Sequence, residues 1–321
     1  MFNPFKIFHK KKIGLVLGSG GTKGFAHISV IENLEKLNIP VHFISGSSAG
    51  SIIGAIYAAG SLEEFKNEML SLSWTEKINL FDPVLPYYGL LKGEKLMKLL
   101  GRFIPADMNI EDLPVELTVV ATDFYSGKSI ELKKGNILNA IRASISFPGI
   151  LKPYRIDDSF LIDGGVANPL PINTVKNMGA TGTIAVNLHP VLPPKKVKKQ
   201  YRTGNKILTL NDKGVEKDGI TKMIRDIPFQ DNIKKFLKKV MKNSDKEKAK
   251  SPAILETITQ AIDIMGYTQT NLMLKYNPPT ILIEPELTDI ATLDLSQIQR
   301  TMDEGNRAFE RVKKRLMLKL F

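Results

Sequence analysis

The spacing of apolar and polar residues predicts strands alternating with helices. Residues 13–17 form an apolar run of strand length, after which Phe25, Ile28, Ile31 and Leu34 recur at helical spacing. A second short run at 41–44 reads as a buried strand. It is followed at 51–59 by a small, apolar helical stretch suited to close packing on a sheet. Residues 62–74 and 90–103 read as helices, the second with leucines at 90, 91, 96, 99 and 100. Residues 115–124 and 129–132 read as neighbouring strands about the Ser126-Gly127 turn, 137–144 as a short helix and 182–188 as a strand. Further on, 254–274 reads as a long helix and 280–284 as a buried strand. A last helix runs from 296 to about 318, with Ser296 as its cap and a basic end that suits its dipole. This alternation predicts an α/β fold, a largely parallel sheet flanked by helices on both faces. The strand at 280–284 is expected to rejoin the sheet. The chain then divides into a tail at 1–12, a core at 13–190, a helical insertion at 191–252, and a helix–strand–helix at 253–321 that completes the core.

Two of the predicted connections carry chemistry. Gly46-Ser47-Ser48-Ala49-Gly50 lies where a strand gives way to a helix. Gly-x-Ser-x-Gly in that context is a nucleophile elbow: Gly46 and Gly50 let the backbone fold sharply and Ser48 exposes its hydroxyl. The following helix aims its first N–H groups at the reacting carbonyl. The same residues also suit an ordinary helix N-terminus, with Ser45, Ser47 or Ser48 as a cap. The other connection is Gly18-Ser19-Gly20-Gly21-Thr22-Lys23-Gly24, between the first strand and the first helix. Such a loop converges N–H groups on an anion. A dinucleotide fingerprint would need glycine at position 23, and a Walker loop would need Ser or Thr after Lys23; neither is present. An oxyanion hole built from Gly18, Ser19, Gly20 and Gly21 fits the spacing. Lys23 either adds positive potential there, as an anion or membrane contact, or is a solvated residue of a first helical turn.

A serine nucleophile needs a base. The chain has four histidines. His9 lies in the basic tail, His27 on the first helix, and His42 in the strand before the elbow, where it reads as a packed residue. His189 ends a strand and is the histidine placed where a triad base would stand. Asp163 is the alternative, at the end of an apolar run and followed by Gly164-Gly165. Burial would raise its basicity and contact with the hydroxyl would orient it. Taken alone, Asp-Gly-Gly reads as a turn.

Together and in this order, the glycine loop ending in a basic residue and Gly, the Gly-x-Ser-x-Gly elbow and the later Asp-Gly-Gly resemble the bacterial patatin-like phospholipases. The stretches at 121–128 and 143–150 look like the family as well, and the resemblance covers roughly residues 12–190. It implies a Ser48–Asp163 dyad with no histidine base, so replacing His42 or His189 should leave activity largely intact. It also implies hydrolysis of lipid acyl esters through an acyl-enzyme, with no metal and no cofactor. Ser19 stands where the pattern has a second glycine. Two alternatives remain, an acyltransferase on the same scaffold and a catalytically weak membrane-binding regulatory protein.

Charge adds a second theme. The net charge is +12, and residues 195–250 alone hold 18 Lys or Arg against 7 Asp or Glu. The body that carries the motifs is acidic. Within the insert, Ile233, Phe236, Leu237, Val240 and Met241 form a stripe, with Lys234, Lys235, Lys238 and Lys239 between them. Such a helix is a membrane-surface element, a partner-binding helix, a lid, or a core helix with a basic outer face. The resemblance favours a lipid substrate and contact with an anionic membrane surface. A specific nucleic-acid partner is not expected, because the insert lacks interleaved aromatics, and the oligomeric state is left open. No run approaches the roughly 20 apolar residues of a membrane span, no secretory signal is read at the start, and cysteine is absent. A cytoplasmic enzyme, peripheral to the membrane, is the expectation. Changing Lys234, Lys235, Lys238 and Lys239 to Gln should weaken vesicle binding and hydrolysis, most at low salt where the screening length is about 10 Å or more. Turnover of a soluble ester should stay near wild type. Unchanged vesicle binding would remove the interfacial role.

Overall fold

The computed structural model describes residues 11–80, 82, 91–189, 254–290, 292 and 294–320. The insertion at 191–252, including Lys234, Lys235, Lys238 and Lys239, lies outside the described residues, as do His9 and most of the basic tail. The strands are β1 (Ile13–Leu17), β2 (Phe43–Ser47), β3 (Glu116–Asp123), β4 (Ser129–Leu132), β5 (Tyr154–Ile156), β6 (Ser159–Asp163), β7 (Gly182–Val186) and β8 (Ile281–Ile283). The helices are α1 (Ala26–Lys36), α2 (Ala49–Ala58), α3 (Leu62–Ser71), α4 (Trp74–Asn79), α5 (Glu94–Leu100), α6 (Ile137–Ser144), α7 (Ile172–Asn177), α8 (Ile254–Tyr276) and α9 (Ile298–Leu320). One sheet contains all the strands among the described residues, in the order β5-β6-β3-β2-β1-β7-β8, with β4 beside β3. From β3 to β8 the neighbours run parallel; β4, β5 and β6 pair antiparallel. The fold is therefore the largely parallel, helix-covered sheet that the alternation predicts.

The central strand β1 is buried on both faces, and its alternation sorts two cores. Ile13, Leu15 and Leu17 face the large core with α1, α2 and α9, while Val16 faces a smaller one with Leu170, Ile172 and Val175 beside α7. Val186 and Ala185 divide between the same two faces on β7. Helix α9 packs along α1, and its Phe309 is fully buried. Among the described residues no helix is long and apolar enough to cross a membrane.

Several boundaries differ from the sequence expectation for local reasons. β2 begins at Phe43, so His42 precedes it, exposed, with Nδ1 accepting from the Ile13 N–H at 3.1 Å. The helix expected at 62–74 is broken by a capping box: Ser73 N–H donates to Glu76 at 2.8 Å, and Glu76 N–H donates to the Ser73 hydroxyl at 3.3 Å. The helix expected from residue 90 starts at Glu94, because Gly93 precedes it with φ 76°. Asp294, not Ser296, supplies the cap before α9, accepting from the Ser296 N–H at 3.0 Å. The short elements β5 and α7 carry too few apolar positions to register as periodic.

The arrangement at β3 decides where the functional residues meet. Val119 and Val120 pair with β2 on one side and β4 on the other. β4 continues along its edge to Thr122, so β6, which pairs with residues 121–123, shares the edge used by β2. β2 ends with Ser47 opposite Val120, and Asp163 stands opposite Ala121, the next residue along. The chain leaving β2 for α2 therefore passes the end of β6.

α9 is part of the same core as β1, so truncating its buried aromatic should be felt globally. Phe309→Ala should cost about 3–5 kcal/mol in urea denaturation. A loss under 1 kcal/mol would show that α9 is not integral to the fold.

Candidate active site

Ser48 sits at the turn from β2 into α2 with φ 52° and ψ −119°. This region is sparsely populated by side-chain-bearing residues, with a strain of about 1–3 kcal/mol. Crowding holds the turn: a Cβ on Gly46 would lie 2.4 Å from the Gly50 carbonyl oxygen, and one on Gly50 would lie 2.0 Å from that of Leu17. The Ser48 N–H donates to Ser144 Oγ at 2.9 Å, and that hydroxyl donates to the Val120 carbonyl at 2.5 Å. Ser144, the last residue of α6, thus braces the elbow against β3. Sequence reasoning placed it only as the end of a helix; its signal was membership of the family-like 143–150 stretch.

The Ser48 hydroxyl donates to Asp163 Oδ2 at 2.6 Å. The other carboxylate oxygen accepts the Gly165 N–H at 2.7 Å. The Asp163 backbone is fixed as well, its N–H donating to the Ser146 carbonyl at 3.0 Å and its carbonyl accepting from Thr122 Oγ1 at 2.8 Å. Burial pushes the Asp163 carboxyl up to about 7, against the opposing effect of its bonds from Ser48 and Gly165. A carboxyl in that range exchanges protons near neutral pH.

The glycine loop arches over the same point, but its N–H groups divide. Gly18 N–H donates to the Val186 carbonyl at 3.1 Å and Ser19 N–H to that of Pro169 at 2.9 Å. These two are spent within the fold, which corrects the expectation that both serve an oxyanion. Gly20 and Gly21 line the cavity beside Ser48, and their N–H groups have no partner among the described residues. The next N–H, of Thr22, donates to the Thr292 carbonyl at 2.8 Å, fastening the loop to the far end of the chain.

Lys23 is not a solvated residue. It is buried, and burial lowers its pKa, partly offset by Asp263 and Asp289. It is therefore unavailable to a membrane surface. His42 is remote and exposed. His189 lies on the cavity wall, but its Nε2 is hydrogen bonded to Ser19 Oγ at 2.7 Å, not to Ser48. Burial, then the nearby Lys23, lowers His189 to about 4.

The cavity between these groups encloses about 180 Å³. Ser48, Asp163, Gly20, Gly21 and His189 form its polar end. Phe65, Met69, Leu96, Leu100, Phe147 and Leu151 are among the side chains of its apolar wall. The arrangement joins a hydroxyl hydrogen bonded to a buried carboxyl, two N–H groups without a partner among the described residues, and room for a hydrocarbon group.

Burial of Asp163 has a thermodynamic signature. The folded chain holds this proton up to about pH 7, whereas an unfolded aspartate loses it near 3.9. Stability from this group is therefore full below about pH 4 and is lost as pH rises through 7, by an amount on the order of 4 kcal/mol. Asp163→Asn keeps an oxygen for Gly165 and carries no charge. It should raise the unfolding midpoint by about 2–8 °C at pH 8 and by little at pH 4. An equal effect at both pH values would rule out the buried charge as the cause.

The family model for patatin-like phospholipases matches residues 15–176, half of the chain. An NTE family protein of Mycobacterium tuberculosis is 40% identical over 178 residues, covering 56% of this chain and 49% of that protein. A second NTE family protein of that organism is 26% identical over 302 residues, covering 93% of this chain and 46% of its own length. Lysophospholipase nte1 of Aspergillus fumigatus is 33% identical over 203 residues, which are 58% of this chain and 13% of that protein. The chain thus spans about half the length of the mycobacterial relatives and much less of the fungal one. By the family match, and by the loop, elbow and aspartate that lie within it, the chain belongs to the patatin-like phospholipase family.

Proposed function

We propose that this chain is a serine hydrolase of lipid acyl esters working through a Ser48–Asp163 dyad. The observation that carries the reading is the 2.6 Å hydrogen bond from Ser48 to a buried Asp163 at the polar end of an apolar cavity. Asp163 takes the Ser48 proton as Oγ adds to the ester carbonyl. Gly20 and Gly21 N–H groups receive the negative oxygen. Asp163 returns the proton to the leaving alcohol, which departs and leaves an acyl-Ser48 ester. Asp163 then removes a proton from water, which attacks that ester and releases the acid, and Ser48 recovers its hydrogen. The scheme calls on no metal ion or cofactor.

The apolar wall suits an acyl chain. The name of the Aspergillus relative, a lysophospholipase, makes lysophospholipids the first substrates to test. Contact of Lys234, Lys235, Lys238 and Lys239 with an anionic bilayer belongs to the same proposal and rests on charge pattern, as does the reading of 191–252 as an insertion in one catalytic domain.

Ser48→Ala and Asp163→Asn should each lower kcat/KM on a soluble ester at least about a thousandfold, and Ser48→Ala should abolish fluorophosphonate labelling. His42→Ala should be near wild type. The base works ionised, so kcat/KM should rise with pH through about 7 and level off above it. A folded Asp163→Asn protein with wild-type turnover would overturn the dyad.

A further inference from the structure

Four hydrogen bonds pin the two residues that precede the open donors of the glycine loop. Gly18 donates its N–H to Val186 and accepts at its carbonyl from His27 Nε2, at 3.1 and 2.9 Å. Ser19 donates its N–H to Pro169 at 2.9 Å and shares a 2.7 Å hydrogen bond between its hydroxyl and His189 Nε2. Immediately after this fastened pair come Gly20 and Gly21, which line the cavity and whose N–H groups have no partner among the described residues. The two side-chain anchors are both histidines. Neither is hydrogen bonded to Ser48 or Asp163 among the described residues.

The chemistry of His27 argues that its contact serves a purpose. The ring is fully buried, and burial holds it down to about 4, so it is uncharged at neutral pH with one ring N–H. A carbonyl only accepts, so that proton sits on Nε2. Nδ1 is then left buried with no partner among the described residues. An unsatisfied buried acceptor is unfavourable, and an aliphatic residue of similar size would avoid it. What the histidine supplies in return is the bond to the Gly18 carbonyl. His189 is likewise uncharged at neutral pH, and its ring packs against α8, where a Cβ on Gly266 would lie 2.7 Å from Cε1.

We propose that His27 and His189 are positioning residues of the oxyanion loop, clamping Gly18 and Ser19 so that the N–H groups of Gly20 and Gly21 point at the substrate's carbonyl oxygen. The inference rests on the hydrolase reading above. For His189 it replaces the sequence expectation of a dispensable residue. Donors of this kind act within a narrow range, about 2.7–3.1 Å from the developing oxyanion. A displacement of about 1 Å costs on the order of a hundredfold in rate. A pair of consecutive glycines has little stiffness of its own, so its aim depends on the residues fastened on either side, Gly18 and Ser19 before it and Thr22 after it.

The test separates positioning from simple packing. His27→Leu, His189→Leu and Ser19→Ala remove one side-chain anchor each. His27→Gln and His189→Gln keep a polar nitrogen near the reach of Nε2. With a soluble ester, the removing variants should lose about 10–100-fold in kcat, with KM within about twofold. Affinity for a trifluoromethyl ketone, which mimics the tetrahedral adduct, should weaken in step with kcat. The glutamine variants should recover most of both. Lower melting temperatures with unchanged kcat and ketone affinity would overturn the proposal, as would folded glutamine variants no better than leucine ones. If the leucine variants fail to fold, Ser19→Ala and the two glutamine variants decide the matter by the same readings. Wild-type protein with no Ser48-dependent turnover would overturn the hydrolase reading and this inference with it. Ser48-dependent turnover with insensitive clamp variants would overturn the inference alone.

Discussion

The meeting of two strands on one edge of β3 is the constraint from which the site follows. β2 stops at Ser47 opposite Val120 and β6 ends with Asp163 opposite Ala121. Parallel and antiparallel partners thus occupy successive stretches of a single edge. The change of partner is abrupt because the chain leaves β2 through a strained turn, freeing the rest of that edge for a strand running the other way. A Cβ on Gly164 would lie 2.1 Å from the Val120 carbonyl and 2.7 Å from Ser47 Oγ, so the junction admits only glycine at that point. Residues 115 apart in sequence are thereby held at hydrogen-bonding distance by backbone pairing, which is stiffer than any side-chain contact.

That precision is obtained against unfavourable terms. Ser48 carries a left-handed φ, Asp163 is a buried carboxyl, and Ser47 Oγ is buried without a partner among the described residues. The strained turn and the unpartnered hydroxyl cost about 1–3 kcal/mol each on general grounds, and burial disfavours the ionised form of Asp163. The compensation lies elsewhere, in a β1 buried on both faces and in the large core shared by α1, α2 and α9. The same burial that destabilises the ionised Asp163 gives it a pKa suited to proton exchange near neutrality.

What the sequence revealed depended on how local each signal was. Ile13–Leu17 and Ile137–Ser144 were legible to the residue because an apolar run or a 3.6-residue period is a property of a few neighbours. The elbow and the Asp-Gly-Gly turn were legible as motifs, although their contact was available only through resemblance, since sheet order is not written in periodicity. The division of the glycine loop was not legible: Gly18 and Ser19 lose their N–H groups to Val186 and Pro169, some 150 residues further on. The burial of Lys23 was likewise not legible, since a solvated residue and a loop cation were equally open and the acidic groups near it, Asp263 and Asp289, come from distant sequence. Ser73 and Glu76 were a missed local signal, a capping box inside an apparently continuous helical pattern.

The bond from Thr22 to Thr292 bears on the order in which the molecule is made. The ribosome delivers the elbow first and Thr292 much later. At roughly 5–20 residues per second the interval between Ser48 and Thr292 is roughly 10–50 s. Throughout that interval the nascent chain holds Ser48 but lacks the partner of the Thr22 N–H, and it cannot pack α9 against α1. The last fastening of the loop thus comes late in synthesis, after the partners of Gly18 and Ser19 have already emerged.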